Sequence, residues 1–146
     1  MKIQGKRLER IKYSQLNARQ KEQFNFQKAS AVLADYGFAT FKIGDDWNGA
    51  DFFAQHASLD IYLKIQLKSR LAFDKKYLGK NLYGIFQSDD KWYLYPHDEC
   101  LEKVSQVHNM KNTASWRDKG GYNFPSLSRE LSSVLGEYLI ESRAHA

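Results

Sequence analysis

The sequence contains a single cysteine, Cys100, among its 146 residues. One cysteine excludes an intrachain disulfide and also a cysteine-rich zinc site. No stretch approaches the roughly 20 consecutive apolar residues that a membrane-spanning helix needs. The first ten residues are rich in charge and no apolar run follows them, so we expect no secretory signal peptide. These absences favour a reducing, cytoplasmic setting.

Several common catalytic motifs are also missing. The chain has neither a G-x-S-x-G nucleophile elbow nor a glycine-rich phosphate loop, so acyl transfer and nucleotide binding are poorly supported. His56 and His97 stand alone, without a second histidine at metal-ligand spacing. Asp45 and Asp46 are interpreted as turn residues that make local hydrogen bonds, with an additional ligand role as the alternative.

The composition indicates one folded domain with a basic surface. Hydrophobic residues make up 42% of the chain and aromatic residues 14%, which is ample material for a core. We therefore predict a single domain, 1–146. Lys and Arg number 22 against 17 Asp and Glu, a formal charge of +5. This surplus favours a polyanionic partner such as nucleic acid, although many basic proteins bind nothing anionic.

Hydrophobic periodicity predicts an α+β fold. Asn17 and Gln20 match a capping box, and the apolar stripe that follows predicts a helix over 17–36, ended by Gly37. The later segments are predicted as strands 38–43, 50–56, 61–68, 82–86 and 91–96, a loop over 44–49, a short helix ending near Val107, an irregular connection over 108–125 and a closing helix at about 126–142. The predicted fold has a core of about 17–107 and a central mixed or mostly antiparallel sheet flanked by helices.

The hairpin 50–68 carries polar side chains on one face. If residues 57–60 form its loop, facing residues have numbers that sum to 117, which places Asp51 opposite Gln66. Lys68 shares their face, while Leu63, Ile65 and Leu67 face a helix. The simple interpretation is a solvated face of a one-sided sheet, which shows the same alternation.

An acid after a glycine-containing loop, a hairpin and then Gln-x-Lys at the end of an apolar strand resemble the PD-(D/E)XK nuclease superfamily. "GADFFA" with "IQLKSR" is most similar to the branch of archaeal Holliday-junction resolvases and modification-dependent restriction endonucleases. The resemblance implies a restriction-endonuclease-like fold and a Mg²⁺- or Mn²⁺-dependent endonuclease that hydrolyses DNA, with RNA as an alternative substrate. Asp51, Gln66 and the carbonyl of Leu67 would be metal ligands, and Lys68 would orient or activate the attacking water.

The resemblance also implies an acid from the first helix, and Glu22 is its only glutamate. Glu22 lies on the apolar stripe, where a buried acid requires a partner or a metal. The alternative is a solvated acid that favours the helix dipole. Many relatives place a crossover helix where this chain has the short, turn-like segment 69–82, so we expect the sheet to close differently. Small nucleases of this class commonly pair as homodimers, and no residue identifies an interface.

Basic and aromatic residues are interleaved directly after Gln-x-Lys. This pattern suits a nucleic-acid backbone track. The residues assigned to it are Arg70, Lys75, Lys76, Tyr77 and Lys80. A solvated loop is the alternative for this segment. For the whole chain, the alternatives to a metal-dependent nuclease are a non-catalytic relative that binds nucleic acid or protein, and a structural protein whose hairpin only imitates the motif.

Overall fold

The centre of the protein is a six-stranded mixed β-sheet. The computed structural model describes residues 1–142, apart from the side chains of residues 45–47 and 142, so those of Asp45 and Asp46 lie outside it. The strands are β1 (Lys2–Ile3), β2 (Lys6–Arg7), β3 (Phe38–Trp47), β4 (Ala50–His56), β5 (Tyr62–Leu67), β6 (Ala72–Asp74), β7 (Leu82–Ser88), β8 (Lys91–Pro96), β9 (Gly121–Asn123) and β10 (Leu139–Ser142). The α-helices are α1 (Ala18–Asp35), α2 (His97–Ser105) and α3 (Arg129–Leu135).

The strands of the central sheet lie in the order β10-β8-β7-β5-β4-β3. β5 and β7 run parallel, whereas the other neighbouring strands of this sheet are antiparallel. α1 packs on one face, and α2, α3 and the β6–β9 ribbon pack on the other. The predicted fold class, α+β with a mixed sheet flanked by helices, is confirmed.

α1 forms as the sequence predicts. The Asn17 side chain accepts a hydrogen bond from the Gln20 N–H at 2.8 Å, and the Gln20 side chain accepts one from the Asn17 N–H at 2.9 Å. These reciprocal bonds satisfy two of the N–H groups that a helix start leaves unpaired. At the other end Gly37 has a φ of 90°, which glycine adopts without strain. The helix is thereby fixed at both ends over the sheet.

The predicted loop over 44–49 is too long. β3 continues to Trp47, and only Asn48 and Gly49 connect it to β4. Both residues have positive φ, 52° and 89°, as the tight two-residue hairpin turn with an Asn-Gly sequence requires. The short turn brings the start of β4 close to the end of β5.

The predicted register of the hairpin 50–68 is confirmed. Phe52 faces Ile65 and Ala54 faces Leu63, pairs whose numbers sum to 117. Phe52, Leu63 and Ile65 are buried in a cluster with Ala29, Val32 and Leu33 of α1, and Leu67 packs against the same cluster. The ladder ends at Phe52–Ile65, so Asp51 and Gln66, the predicted facing pair, lie just beyond it at the end of the hairpin.

Residues 68–81 connect the parallel strands β5 and β7 without an α-helix. This connection, which we call the crossover loop, contains β6 and a single 3₁₀ turn, Lys75–Tyr77. β6 pairs with β9, a strand from the segment 108–125 that was predicted to be irregular. The segment 69–82 was predicted to be a turn-like link, and the structure contains no α-helix within it.

The predicted closing helix over 126–142 is wrong in its second half. α3 ends at Leu135, and Leu139–Ser142 form β10, which pairs with β8 at the edge of the sheet. The C-terminal segment also extends the core beyond residue 107, because Met110, Trp116 and Phe124 are buried with α2 and α3. Within residues 1–142, no helix is both long enough and apolar enough to span a membrane.

Candidate active site and nucleic-acid interface

A cleft of about 470 Å³ lies between the first turns of α1 and the adjacent ends of β4 and β5. We call it the Asp51 cleft. Glu22 from α1, Asp51 from β4, and Leu67 and Lys68 from the end of β5 all line it. The structure therefore brings together four of the five residues to which the sequence assigned catalysis or metal binding.

Asp51 is held against the end of β5. Its Oδ2 accepts a hydrogen bond from the backbone N–H of Leu67 at 2.7 Å. This N–H lies beyond Phe52–Ile65, the last residue pair of the β4–β5 ladder. A side chain thus takes over where backbone pairing stops, and it places a carboxylate beside the Gln66–Leu67 peptide.

Gln66 is the predicted ligand that does not line the Asp51 cleft. Its side chain is 3% exposed, and its Nε2 donates a hydrogen bond to the Gly49 carbonyl at 2.8 Å. A Cβ at position 49 would lie 3.1 Å from this Nε2 and 2.5 Å from Cε1 of Tyr77, so only glycine fits there. Gln66 therefore ties the β3–β4 turn to β5.

Lys68 occupies the wall shared by three clefts. Its backbone N–H donates to the Ile85 carbonyl at 2.9 Å, which fixes the residue at β7. Its ammonium lies 5.3 Å from the centroid of the Tyr77 ring, a cation–π distance. Besides the Asp51 cleft, Lys68 lines one cleft beside β9 and another beside Trp92. The Lys68 side chain therefore borders all three clefts.

Glu22 is exposed, so the interpretation of a buried acid on the apolar stripe is wrong and that of a solvated acid holds. Glu22 nevertheless lines the Asp51 cleft together with Asp51. Its position in the second helical turn therefore places it on the wall of the cleft rather than beneath the helix.

The charges of the Asp51 cleft are mixed. Two carboxylates, Glu22 and Asp51, stand against three lysines, Lys21, Lys42 and Lys68. Lys42 donates to Oε1 of Gln23 at 2.6 Å, which holds its ammonium beside α1. An anion that enters the cleft is attracted by the lysines, while a cation is attracted by the carboxylates.

A hard divalent cation fits this donor set. Mg²⁺ is usually held by one or two carboxylates together with water and substrate phosphate, and Asp51 and Glu22 supply that number. No group of three or more His, Cys, Asp or Glu side chains with metal-site geometry occurs in the described part of the chain. The donors present thus match a metal shared with a phosphate better than one enclosed by protein.

His97 has a role that the sequence did not reveal. It is 2% exposed, and its Nε2 accepts a hydrogen bond from the Asp74 N–H at 3.1 Å. Nδ1 must then carry the proton, and it donates to Oδ1 of Asp98 at 2.7 Å. Oδ2 of Asp98 accepts from the Gly79 N–H at 2.9 Å. His97 and Asp98 therefore clamp the crossover loop on both sides of Tyr77.

The clamp lowers the pKa of the Asp98 carboxyl. Partial burial raises the pKa of its carboxyl, but the hydrogen bonds from His97 and the Gly79 N–H outweigh burial and hold the pKa below its ordinary value. The His97 ring also contacts the edge of Tyr77, with centroids 6.0 Å apart. In the sequence, the adjacent histidine and aspartate of "YPHDE" are the local sign of this role. The residues that they bond, Asp74 and Gly79, lie 23 and 19 residues earlier in the chain.

The predicted basic track does not form one continuous surface. Lys76 and Tyr77 line the cleft beside β9, and the Lys75 ammonium lies 5.4 Å from the centroid of the Trp116 ring. Arg70 donates to Oδ1 of Asn123 at 3.3 Å. The Lys80 carbonyl accepts from the Lys64 ammonium at the start of β5. Position 64 is roughly 13 Å along the strand from Lys68, so Lys80 belongs to the opposite end of the sheet.

Two solved structures resemble this fold. One is the Holliday junction resolvase Hjc of Archaeoglobus fulgidus, an archaeal hyperthermophile, with a TM-score of 0.39, 16% identity, and coverage of 48% of this chain and 74% of Hjc. The other is a bacterial homing endonuclease, with a TM-score of 0.46, 13% identity, and coverage of 85% of this chain and 87% of that one. No protein-family model matches the chain, and no curated protein matches its sequence. We assign no activity from these likenesses.

Proposed function

We propose that this protein is a divalent-metal-dependent endonuclease that hydrolyses phosphodiester bonds in DNA. The observation that carries the proposal is the Asp51 cleft itself, in which two carboxylates and the Lys68 ammonium converge from three separate elements. Carboxylates alone suit a metal site, and lysines alone suit a phosphate site. Their combination in one cleft suits a phosphate that is bound together with a metal.

Asp51 and Glu22 would hold the metal, with the Leu67 carbonyl as a further oxygen donor. When bound, Mg²⁺ or Mn²⁺ would supply a more acidic water and positive charge beside the phosphate. The Lys68 ammonium would donate to a phosphate oxygen and stabilise the charge that accumulates as the water oxygen bonds to phosphorus and the bond to the leaving oxygen breaks. Lys21 and Lys42 would draw the phosphate backbone into the cleft.

Lys68 is well placed for this role because its surroundings restrict it. The Tyr77 ring lies beside its ammonium, and its backbone is fixed to β7. A lysine held in one place loses less conformational entropy when it binds the reacting phosphate than a fully solvated lysine does. The crossover loop that carries Tyr77 is in turn clamped by His97 and Asp98.

A non-catalytic protein that binds nucleic acid through the same basic walls is the second candidate. One observation favours it: Gln66 is neutral and buried, and its amide is engaged in the fold rather than exposed in the Asp51 cleft. Such a protein would bind DNA through its lysines without cleaving it.

The two candidates differ in metal-dependent cleavage. Purified protein should be incubated with linear, branched, modified and single-stranded DNA, and with RNA, in Mg²⁺, in Mn²⁺ and in EDTA. We expect cleavage of DNA that requires the metal and that Lys68→Ala reduces by at least about 100-fold, a loss of about 2.7 kcal/mol of transition-state stabilisation. Cleavage unaffected by Lys68→Ala would point to a contaminant, and binding without cleavage of any substrate would establish the second candidate.

A further inference from the structure

A second cleft, of about 330 Å³, adjoins the Asp51 cleft across Lys68. We call it the Lys119 cleft. It lies between the crossover loop on one side and residues 115–123 on the other, and its polar wall includes Lys68, Lys76, Ser115, Lys119, Tyr122 and Asn123. A polymer that reaches the Asp51 cleft can therefore continue directly into the Lys119 cleft.

The Lys119 cleft carries more positive than negative charge. Three lysines line it, Lys68, Lys76 and Lys119, against one carboxylate, Asp74. Oδ1 of Asp74 already accepts a hydrogen bond from the Lys76 N–H at 2.9 Å, where it caps the 3₁₀ turn. None of the ion pairs identified among the described residues involves Lys68 or Lys119. The cleft thus attracts an anion.

The basic side chains beside the Lys119 cleft are held by neighbouring groups. Lys75, which precedes Lys76 in the sequence, lies over the Trp116 ring, and Arg70 donates to Asn123, a residue of the cleft wall. Lys119 is instead exposed and belongs to a turn that ends at Gly120, where a φ of 81° reverses the chain into β9. Lys119 and Lys76 line the cleft from two different segments, Lys119 from residues 115–123 and Lys76 from the crossover loop.

We propose that the Lys119 cleft binds the phosphodiester backbone of the substrate strand next to the phosphate held in the Asp51 cleft. Lys119 is the principal contact, Lys76 is the second, and the Tyr122 ring offers an apolar surface to the adjoining sugar or base. Lys68 lies between the two clefts and faces the phosphates on both sides. The assignment rests on the proposed function for the identity of the ligand, a nucleic-acid strand.

Binding without metal tests this assignment separately from catalysis. Fluorescence anisotropy in EDTA would give the dissociation constants of a labelled DNA duplex and of its labelled single strand over a range of KCl concentrations. The variants are Lys119→Ala, Lys119→Glu and the control Lys111→Ala. Lys111 contributes the same charge but forms an ion pair with Glu102 and lies outside the cleft walls.

We expect Lys119→Ala to make the slope of log K against log salt shallower by about 1, so that over a fourfold rise in salt its affinity falls about fourfold less than that of wild type. Its affinity should therefore be lowest relative to wild type at the low-salt end. Lys119→Glu should lower affinity further, and Lys111→Ala should match the wild type. Equal binding by all variants would overturn the assignment even if the protein cleaves DNA. Loss of binding in Lys119→Ala without any cleavage by the wild type would instead keep the assignment and reject the nuclease.

A competition experiment separates phosphate backbone from acidic protein. Polyglutamate of matched charge should displace the labelled strand from wild type much less effectively than unlabelled DNA does. Equal displacement, lost in Lys119→Ala, would show that the cleft accepts any polyanion and would overturn its assignment to a phosphodiester strand.

Discussion

Oδ2 of Asp51 lies 2.7 Å from the backbone nitrogen of Leu67 and accepts its hydrogen bond. The bond joins the start of β4 to the end of β5, so one carboxylate has both a structural role and, in the proposed function, a chemical one. It also holds a negative charge beside the peptide of Leu67 before any ligand binds. A substitution of Asp51 must therefore separate the two roles.

Asp51→Asn separates them, because the amide oxygen can still accept the Leu67 N–H while the charge is lost. We expect a free energy of unfolding within about 1 kcal/mol of wild type, together with loss of Mn²⁺ binding and a fall in cleavage of at least about 100-fold. Urea denaturation, calorimetric titration with Mn²⁺ and cleavage kinetics would measure these effects. Asp60→Asn, in the loop at the other end of the hairpin, is the control. Undiminished Mn²⁺ binding by Asp51→Asn would contradict a ligand role for Asp51.

Gln66→Glu tests whether the buried amide is a ligand. The substitution removes the donor to Gly49 and sets a carboxylate against that carbonyl, so without metal we expect stability to fall by about 1–3 kcal/mol. If position 66 contributes to the metal site, Mg²⁺ or Mn²⁺ should restore much of this loss. Urea midpoints measured in EDTA and in Mg²⁺ or Mn²⁺ would show whether the metal restores stability.

Gln55→Glu supplies a matched comparison for Gln66→Glu. Gln55 lies on the same face of the hairpin, and its Nε2 donates to the Tyr62 hydroxyl at 2.8 Å, but the residue is exposed. Metal should change the stability of Gln55→Glu by the same amount as it changes the stability of wild type. If Gln66→Glu gains no more from metal than Gln55→Glu does, position 66 is structural and not a ligand.

The sequence predicts the site best where the determinants are local. The Asn17–Gln20 cap, Gly37 and the alternation in 61–68 each act within a few residues, so α1 and the register of β4 with β5 could be predicted from pattern alone. Asn48–Gly49 was a local signal too, and its combination of asparagine and glycine could have shortened the predicted loop.

Distant pairing decides the parts that the sequence did not predict. Leu139 and Ile140 continue the apolar spacing of α3, yet they form a strand because the edge of β8 is available to pair with them. His97 clamps a loop about 20 residues away, and Lys76 and Lys119 line one cleft because β6 pairs with β9. Such contacts are properties of the fold and leave no periodic signal.

Asp98→Asn should change how stability depends on pH. The pKa of Asp98 is lowered in the folded protein, so its ionised form contributes stability above its ordinary value of 3.8, and this contribution is lost as the pH falls through the lowered pKa. The variant should therefore be less stable than wild type near neutral pH, by about 1 kcal/mol for whichever of the two hydrogen bonds, from His97 or from the Gly79 N–H, its single amide oxygen no longer accepts, and equal to it at strongly acidic pH. Urea midpoints at both pH values would measure this difference. Asp118→Asn serves as the comparison, and a difference for Asp98→Asn that persists unchanged into acid would rule out the ionised clamp.

Substitutions of Tyr77 test whether the crossover loop positions Lys68 or contacts the substrate. Its ring lies beside the Lys68 ammonium and packs on Gly49 and Gln66, whereas the sequence assigned it to nucleic-acid binding. Tyr77→Phe keeps the ring, so in either case we expect nearly wild-type behaviour. Tyr77→Leu removes the cation–π contact, worth about 0.5–1 kcal/mol at an exposed site, and also loosens the wall behind the ammonium.

If Tyr77 positions Lys68, Tyr77→Leu should lower kcat about fivefold or more while DNA affinity in EDTA stays within about twofold of wild type. Introducing Lys68→Ala together with Tyr77→Leu should then slow cleavage little more than Lys68→Ala alone, because the ring affects cleavage by positioning the Lys68 ammonium. The Lys76 ammonium also lies 5.0 Å from the centroid of this ring, and an effect on Lys76 would be measured in the metal-free binding. If Tyr77 instead stacks on a base, the affinity falls, kcat is kept, and the two substitutions add. The double-mutant cycle, measured in cleavage rate and in metal-free binding, decides between the two roles. An additive cycle with unchanged kcat would remove Tyr77 from the support of Lys68 and return it to the nucleic-acid interface.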